Sequence, residues 1–104
     1  MKAEALKGHL DAMILAVVGV GPAHGYAVIE QLRERSGGVF DLPEGTVYPA
    51  LHRLEADGLL ASSWETASGR RRRVYRLTRR GKSALGERRG DWQLFAQAVD
   101  GVLA

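Results

Sequence analysis

The chain contains no cysteine, so disulfide bonds and thiolate metal sites are excluded. It also has no uninterrupted apolar run of about 18 residues, the length that a membrane-spanning helix requires. Residues 1–25 superficially resemble a signal peptide, but Glu4 and Asp11 interrupt them and their apolar residues recur periodically. We therefore expect neither a leader nor a membrane segment, and we expect the protein to reside in the cytoplasm.

The residues that usually carry catalysis are few and scattered. The three histidines, His9, His24 and His52, fall in separate predicted elements, with no carboxylate at metal-ligand spacing. No candidate nucleophile stands beside a base in a recognisable motif. The Gly-Val-Gly at residues 19–21 is not a dinucleotide-binding fingerprint, because no strand precedes it. The sequence therefore predicts a protein that is not an enzyme and that holds no metal or cofactor.

Charge is unevenly distributed along the chain. The 104 residues carry a net charge of +3 and give an isoelectric point near 9.7, which weakly favours an anionic partner. Four consecutive arginines occupy residues 70–73, and further basic residues follow them. The length suits one compact domain, and at this size a partner chain often adds stability.

Residues 42–60 are the stretch around which the rest is organised. Apolar residues recur there at i, i+3, i+4 and i+7, which predicts a helix over residues 44–57 with one face on a core. The opposite face carries Tyr48, His52 and Arg53, whose aromatic, imidazole and guanidinium groups are suited to reading nucleic acid. The predicted core positions are Val47, Ala50, Leu51 and Leu54.

Pro49 conflicts with this helix, because proline in a helix interior costs about 3 kcal/mol but little in the first turn. Either the helix starts close to Pro49 with Thr46 as its cap, or it begins at Glu44 with an open first turn. In both cases Gly45 and Thr46 would leave backbone N–H groups at the positive end of a helix, which suits a phosphate. Glu55, on the outer half, would be repelled by phosphate, so we expect it to pair with an arginine.

Two helices precede this one, over residues 4–20 and 23–36, each with an apolar stripe. Gly25 is expected to let the first helix pack closely on the second. His24, at the start of the second helix, either contacts a phosphate or has a plain capping or surface role. Lys2 and Lys7 are further candidates for a phosphate contact. The predicted buried stripe of the second helix is Tyr26, Ile29 and Leu32.

A hairpin is predicted after the organising helix, with strands at residues 59–66 and 72–77 and a tip at 67–70. A helix followed by a hairpin with a basic tip is typical of a winged helix-turn-helix. The arginines at 70–73 either contact the DNA backbone or minor groove, or form a solvated edge that discourages strand aggregation. Their place beside the candidate recognition helix favours the DNA role. Residues 39–42 are predicted to be a brief strand or an extended turn.

Thr78 is expected to cap a last helix that runs to about Leu103. Its apolar stripe has no remaining chain to pack on, because three helices and a hairpin already complete a core. Such a stripe indicates a partner chain, so we expect a homodimer; the alternative is that the helix folds back on its own core. The stripe consists of Leu85, Trp92, Phe95, Ala96, Val99, Val102 and Leu103.

The predicted fold is mainly helical α+β: a winged helix-turn-helix of three helices and a two-stranded wing, followed by a dimerisation helix. Residues 1–78 are the predicted DNA-binding domain and residues 79–104 the predicted dimerisation helix. The expected partners are double-stranded DNA and a second copy of the chain. The residues predicted to contact DNA are Thr46, Tyr48, His52, Arg53, Arg70, Arg71, Arg72, Arg73 and His24.

Three segments, at residues 24–26, 42–55 and 71–78, resemble the PadR family of phenolic-acid-responsive transcriptional repressors and their relatives. The resemblance covers residues 6–103. The Gly-Thr-Val-Tyr-Pro-Ala-Leu segment at 45–51 is quite specific, because ordinary helices avoid an internal Tyr-Pro. The single short C-terminal helix is similar to that of the compact branch of the family.

The resemblance implies a homodimeric DNA-binding repressor whose DNA binding a small aromatic or drug-like effector weakens. In some compact members the effector lies between the subunits near an aromatic residue of the last helix, and Trp92 occupies a comparable place. Trp92 is therefore either an anchor of the dimer interface or a platform for a ligand. Two rival interpretations stay open: a winged helix used for protein–protein contact without a DNA target, and a small-molecule-binding dimer whose DNA role is secondary.

Overall fold

The structure, a computed structural model, describes residue 6 and residues 8–104. In this part of the chain four helices and three strands occur in the order α1 (Leu10–Val20), β1 (Ala23–His24), α2 (Gly25–Arg35), α3 (Glu44–Ala56), β2 (Leu60–Ala67), β3 (Arg70–Leu77) and α4 (Arg79–Leu103). The antiparallel sheet has the order β1-β3-β2. The architecture is the mainly helical winged helix-turn-helix that the sequence predicts, with one short strand added to the two-stranded wing.

α1 begins at Leu10, after a turn at residues 8 and 9, so the predicted helix is not continuous through these two residues. The part of that prediction at residues 4, 5 and 7 lies outside the described residues. Gly8 has φ +89° in this turn, a conformation that favours glycine. The predictions for Lys2 and Lys7 lie outside the described residues. The core-facing residues of α1 are Ile14, Leu15, Val17 and Val18, all buried.

α2 begins at Gly25, two residues later than predicted, because Ala23 and His24 pair with β3 as a short strand. His24 caps the helix, and its Nδ1 accepts a hydrogen bond from the Ala27 N–H at 3.4 Å. The prediction that Tyr26 is buried is wrong, since its side chain is 61% exposed. The buried face starts at Gly25, one residue earlier. Because successive helical residues point about 100° apart, Tyr26 is turned away from that face. That face consists of Gly25, Val28 and Leu32.

α3 begins at Glu44 with Pro43 at the N-cap position, which is the open-first-turn alternative. The alternative with Thr46 as the cap is wrong, because Thr46 lies inside the helix and its N–H donates to the Pro43 carbonyl at 3.0 Å. Pro49 lies within the helix on its exposed side. The predicted core face is confirmed: Val47, Ala50, Leu51 and Leu54 are all buried.

The hairpin is longer than predicted, and β2 and β3 pair from Leu60–Leu77 to Ala67–Arg70. Ser68 and Gly69 form a two-residue turn in which both have positive φ, +51° and +74°, as a tight hairpin requires. Residues 39–42, which lie between α2 and α3, form an irregular segment and not a strand.

α4 is capped as predicted, with the Thr78 Oγ1 accepting from the Gly81 N–H at 3.0 Å. The Thr78 hydroxyl also donates to the Gly58 carbonyl at 2.7 Å, which fixes the start of α4 against the end of α3. Gly81 and Leu85 are the buried residues of α4. Beyond them the helix leaves the core, and the molecule measures 53 × 28 × 20 Å along its principal axes.

Candidate nucleic-acid interface

One face of α3 is left uncovered by the rest of the described structure. Its exposed residues follow the helical period and lie opposite the four core positions. They include three of the predicted DNA-contacting residues. The exposed stripe consists of Gly45, Thr46, Pro49, His52, Arg53 and Ala56.

Tyr48 lies at the edge of this stripe and is half-buried. Its ring covers Gly25, where a Cβ would overlap it; the prediction that Gly25 serves the packing of the first helix is therefore wrong. The ring centroid of Tyr48 is 6.3 Å from that of Tyr26 and 6.4 Å from that of His52. Burial, with a smaller contribution from Glu44, raises the pKa of Tyr48, so its hydroxyl is a neutral donor at ordinary pH.

Tyr26 extends this aromatic edge, and sequence reasoning missed it as a surface residue. A hydrogen bond to Glu44, reinforced by the charge of that carboxylate, raises the pKa of Tyr26. The signal that could have found it is Gly25, because a helix that buries its glycine turns the next side chain outward.

The start of α3 is less suited to a phosphate than predicted. The Thr46 N–H is already bonded to Pro43, so it is not the unpaired donor that the sequence suggested. Glu44 adds a negative charge in the first turn, which opposes an anion at the positive end of the helix. The exposed hydroxyl of Thr46 is the group that this position offers.

Arg53 does not extend freely into solvent. Its Nη2 forms an ion pair with the Asp11 carboxylate of α1, and the side chains are 54% and 22% exposed. A pair this accessible to water contributes at most about 1 kcal/mol. The guanidinium can therefore be drawn away by a stronger anion.

Glu55 pairs with an arginine, as predicted. Its Oε2 lies 3.7 Å from Arg73 Nη2 and accepts a hydrogen bond from the Ser62 hydroxyl at 2.5 Å. Arg73 Nε also donates to the Ser62 oxygen at 2.7 Å. This Glu55–Ser62–Arg73 network joins α3 to both strands of the wing.

The four wing arginines have different surroundings. Arg70 is exposed beside the turn, and Arg72 Nη1 lies 3.1 Å from Nε2 of His24. The guanidinium carbons of Arg71 and Arg73 lie 4.9 and 5.3 Å from the centroid of the Trp64 ring. Three of the four wing arginines, Arg71, Arg72 and Arg73, therefore contact neighbouring side chains.

An open groove of about 900 Å³ lies between α1 and α4. His9 meets Trp92 edge-on with ring centroids 5.2 Å apart, and Phe95 lies 6.1 Å beyond Trp92. Val102 and Leu103 are 84% and 78% exposed, so the helix does not fold back to cover its apolar stripe on the described core. Ala96 and Val99, also predicted at the interface, are partly exposed. Other groove residues are Leu6, Met13, Phe40 and Leu85.

Among the described residues no group of three or more His, Asp or Glu side chains is placed to bind a metal ion. None of the helices there combines the length and the apolar character needed to cross a membrane.

Three packed helices, of which α3 has one face uncovered, and a basic hairpin define a winged helix-turn-helix protein of the DNA-binding class. Residues 14–87 match the family described as "Transcriptional regulator PadR-like family", and the chain belongs to that family. It is therefore a transcriptional regulator and not an enzyme. The resemblance identified from the sequence is confirmed.

Individual relatives agree with this assignment. The chain is 46% identical over 78 residues to transcriptional regulator Rv3488 of Mycobacterium tuberculosis, covering 75% of this chain and 70% of that protein. A PadR family transcription regulator from Clostridium difficile superimposes with a TM-score of 0.84 at 33% identity, covering 93% of this chain and all of that one (100%). A transcriptional regulator from Clostridium thermocellum gives a TM-score of 0.87 at 25% identity, covering 96% and 95% of the two chains.

Proposed function

We propose that two copies of this chain bind a pseudo-palindromic DNA operator, with the two α3 helices in successive major grooves about one turn apart. The observation that carries this proposal is the exposed stripe of α3, which is backed by a fully buried apolar face and connected to a basic wing through Glu55, Ser62 and Arg73. In this proposal residues 1–78 bind DNA and residues 79–104 join the subunits. The protein acts in the cytoplasm.

Within the groove, Tyr48, His52 and Arg53 supply the side chains that face the bases, and Thr46 supplies a hydroxyl. We add Tyr26, because its exposed ring continues the aromatic edge formed by Tyr48 and His52. Contacts to bases specify the sequence, whereas contacts to phosphates supply most of the affinity.

The wing supplies the phosphate or minor-groove contacts through Arg70, Arg71, Arg72 and Arg73. His24 takes part through Arg72, whose guanidinium it contacts. Because each phosphate contact releases counterions, the affinity falls steeply as the salt concentration rises.

The wing is tested by measuring affinity for a duplex of random sequence across a salt series. Replacing Arg71 and Arg72 together by Ala should weaken binding to all sequences and flatten the dependence of affinity on salt. The matched control is the Arg33→Ala/Arg35→Ala variant, since it removes the same two charges from the exposed end of α2. An Arg71→Ala/Arg72→Ala variant with the wild-type salt dependence would remove the wing from the interface. Absence of DNA binding by the wild-type chain would favour the protein–protein role instead.

We propose that α4 joins the subunits through Trp92, Phe95, Ala96, Val99, Val102 and Leu103. The support is physical: large apolar side chains on one face of a helix are left in contact with water. Trp92→Ala should raise the dimer dissociation constant measured by sedimentation. Leu94→Ala is the control, because Leu94 is exposed on the opposite face of the same helix. Equal effects of the two variants would move the interface elsewhere.

We also propose that the regulator is a repressor that releases its operator when a small aromatic or drug-like molecule binds beside Trp92. The apolar groove with His9, Trp92 and Phe95 supports this proposal. Trp92 then has one of two roles, platform for the ligand or anchor of the dimer. Titrating planar aromatic compounds into a Trp64→Phe variant leaves Trp92 as the fluorescent reporter and separates these roles: saturable quenching supports the platform.

A further inference from the structure

Trp64 is a large apolar side chain in a place where core packing does not explain it. It lies on β2 in the wing, and its side chain is 56% exposed. It is remote in sequence from the α4 stripe and does not line the groove between α1 and α4. What surrounds its ring is positive charge from the neighbouring strand.

The register of the hairpin explains this arrangement. Trp64 pairs directly with Arg73, and Arg71 is the diagonal neighbour on the same face of the sheet. Both guanidinium groups lie within the distance of about 6 Å at which a cation is attracted to an aromatic ring.

The two arginines differ in what else holds them. Arg73 is also held by Ser62 and Glu55. Arg71, two residues nearer to the turn, is exposed and makes no hydrogen bond or ion pair within residues 8–104. The Trp64 ring is therefore the group that restricts Arg71, and a contact with a ring face leaves the N–H donors of the guanidinium available.

We propose that Trp64 is a positioning residue that orders Arg71 along the wing before DNA arrives. An arginine side chain loses rotamer freedom when it is immobilised on a partner, and this loss weakens binding. A ring that already restricts the side chain removes part of that loss. This inference rests on the proposed contact between the wing and DNA.

The first test needs no DNA. In the proton NMR spectrum of the full chain, the ring current of Trp64 should shift the side-chain methylene protons of Arg71 upfield, and Trp64→Ala should abolish the shift. Arg71 methylene protons at the positions found in a flexible peptide would overturn the proposal. Because Trp64 is exposed, Trp64→Ala is expected to fold, which circular dichroism verifies.

The second test measures affinity for a random-sequence duplex across a salt series in Trp64→Ala, Trp64→Phe, Arg71→Ala and the Trp64→Ala/Arg71→Ala double variant. Trp64→Ala should weaken binding roughly threefold per wing, or about tenfold for two wings, from the cost of ordering one side chain. Its salt dependence should match that of the wild type, because no charge is lost. Trp64→Phe should retain most of the affinity, and the double variant should bind no more weakly than Arg71→Ala.

The outcomes distinguish the positioning role of Trp64 from the proposed contact between the wing and DNA. If Arg71→Ala weakens binding and Trp64→Ala does not, or if the two effects simply add, the positioning role is wrong while the wing contact stands. Tighter binding by Trp64→Ala would also overturn it, since the ring would then be competing with DNA for Arg71. If Arg71→Ala changes neither the affinity nor the salt dependence, Arg71 does not contact DNA and this inference fails, whereas the wing contact as a whole is decided by the Arg71→Ala/Arg72→Ala variant.

Discussion

Substituting Gly25 by Ala should disturb the exposed face of α3, although Gly25 itself lies on α2. A Cβ at Gly25 would overlap two ring carbons and the hydroxyl oxygen of Tyr48, so either the Tyr48 side chain or the start of α2 must move. Overpacking of this kind costs about 1–3 kcal/mol. Alanine recovers up to about 1 kcal/mol through its better helix propensity. The expected net loss is therefore about 1–2 kcal/mol of unfolding free energy.

At this chain length such a loss lowers the thermal midpoint by about 5–10 °C. The assay is thermal unfolding followed by circular dichroism, with all variants at one protein concentration, because a dimer's midpoint depends on concentration. Gly45→Ala is the matched control: it also lies in the first turn of a helix, but a Cβ added there would meet no atom within 4 Å. Its midpoint should be unchanged or higher.

A double-mutant cycle identifies the cause. In a Tyr48→Ala background, Gly25→Ala should lose its cost and stabilise the chain slightly. A Gly25→Ala variant that unfolds at the wild-type temperature, or whose destabilisation persists after Tyr48 has been removed, would refute the clash between Gly25 and Tyr48. DNA affinity of folded Gly25→Ala should fall, because Tyr48 no longer keeps its place beside His52.

Three further predictions concern stability and binding. Gly81→Ala should destabilise the chain by more than about 3 kcal/mol in urea unfolding, because its Cβ would overlap the Leu59 carbonyl oxygen. Gly86→Ala is the control and should not destabilise the chain, because a Cβ added there meets no atom within 4 Å. Similar urea midpoints for the two variants would contradict the close packing of Gly81 against Leu59. Asp11→Asn should tighten operator binding about two- to fivefold in an anisotropy titration, because it releases Arg53 from an ion pair worth at most about 1 kcal/mol; unchanged affinity would mean that Arg53 does not reach DNA. Burial, together with the nearby Glu55, raises the pKa of Tyr75 above its ordinary value of 10.0. The unfolded chain therefore loses the Tyr75 proton at a lower pH than the folded chain does. The stability that the neutral phenol contributes is complete below about pH 10 and is lost as the pH rises through the folded-state pKa. Tyr75→Phe should therefore flatten the fall in unfolding free energy above about pH 10, and an equally steep fall would argue against this assignment.

The sequence predicted the helices and the hairpin because their signals are local. The period of Val47, Ala50, Leu51 and Leu54 is strong enough to identify the buried face of α3 without any tertiary information. The capping role of Thr78 was equally predictable, because a hydroxyl residue immediately before a helix commonly caps it.

The errors arose where a tertiary contact overrides a local pattern. Tyr26 fits an apolar stripe on α2, yet the neighbouring Gly25 takes the buried position because Tyr48 covers it. β1 has only two residues, so it exists through its pairing with β3 and has no periodicity of its own.

The pairing partners of the site's side chains were the least predictable part. Asp11 and Arg53 are far apart in the chain, and no spacing rule joins them. The position of Trp64 beside Arg71 and Arg73 depends on the hairpin register, which a turn shifted by one residue would reverse. Only the pairing of Glu55 with some arginine followed from its charge and its place on the helix.

Selection of bound duplexes from a random DNA pool is the measurement that addresses the central claim most directly. If paired α3 helices occupy successive major grooves, the selected sequences should share an inverted repeat whose half-sites are centred about 10 base pairs apart. Recovery of sequences with no shared motif, or of a single unpaired half-site, would contradict the account.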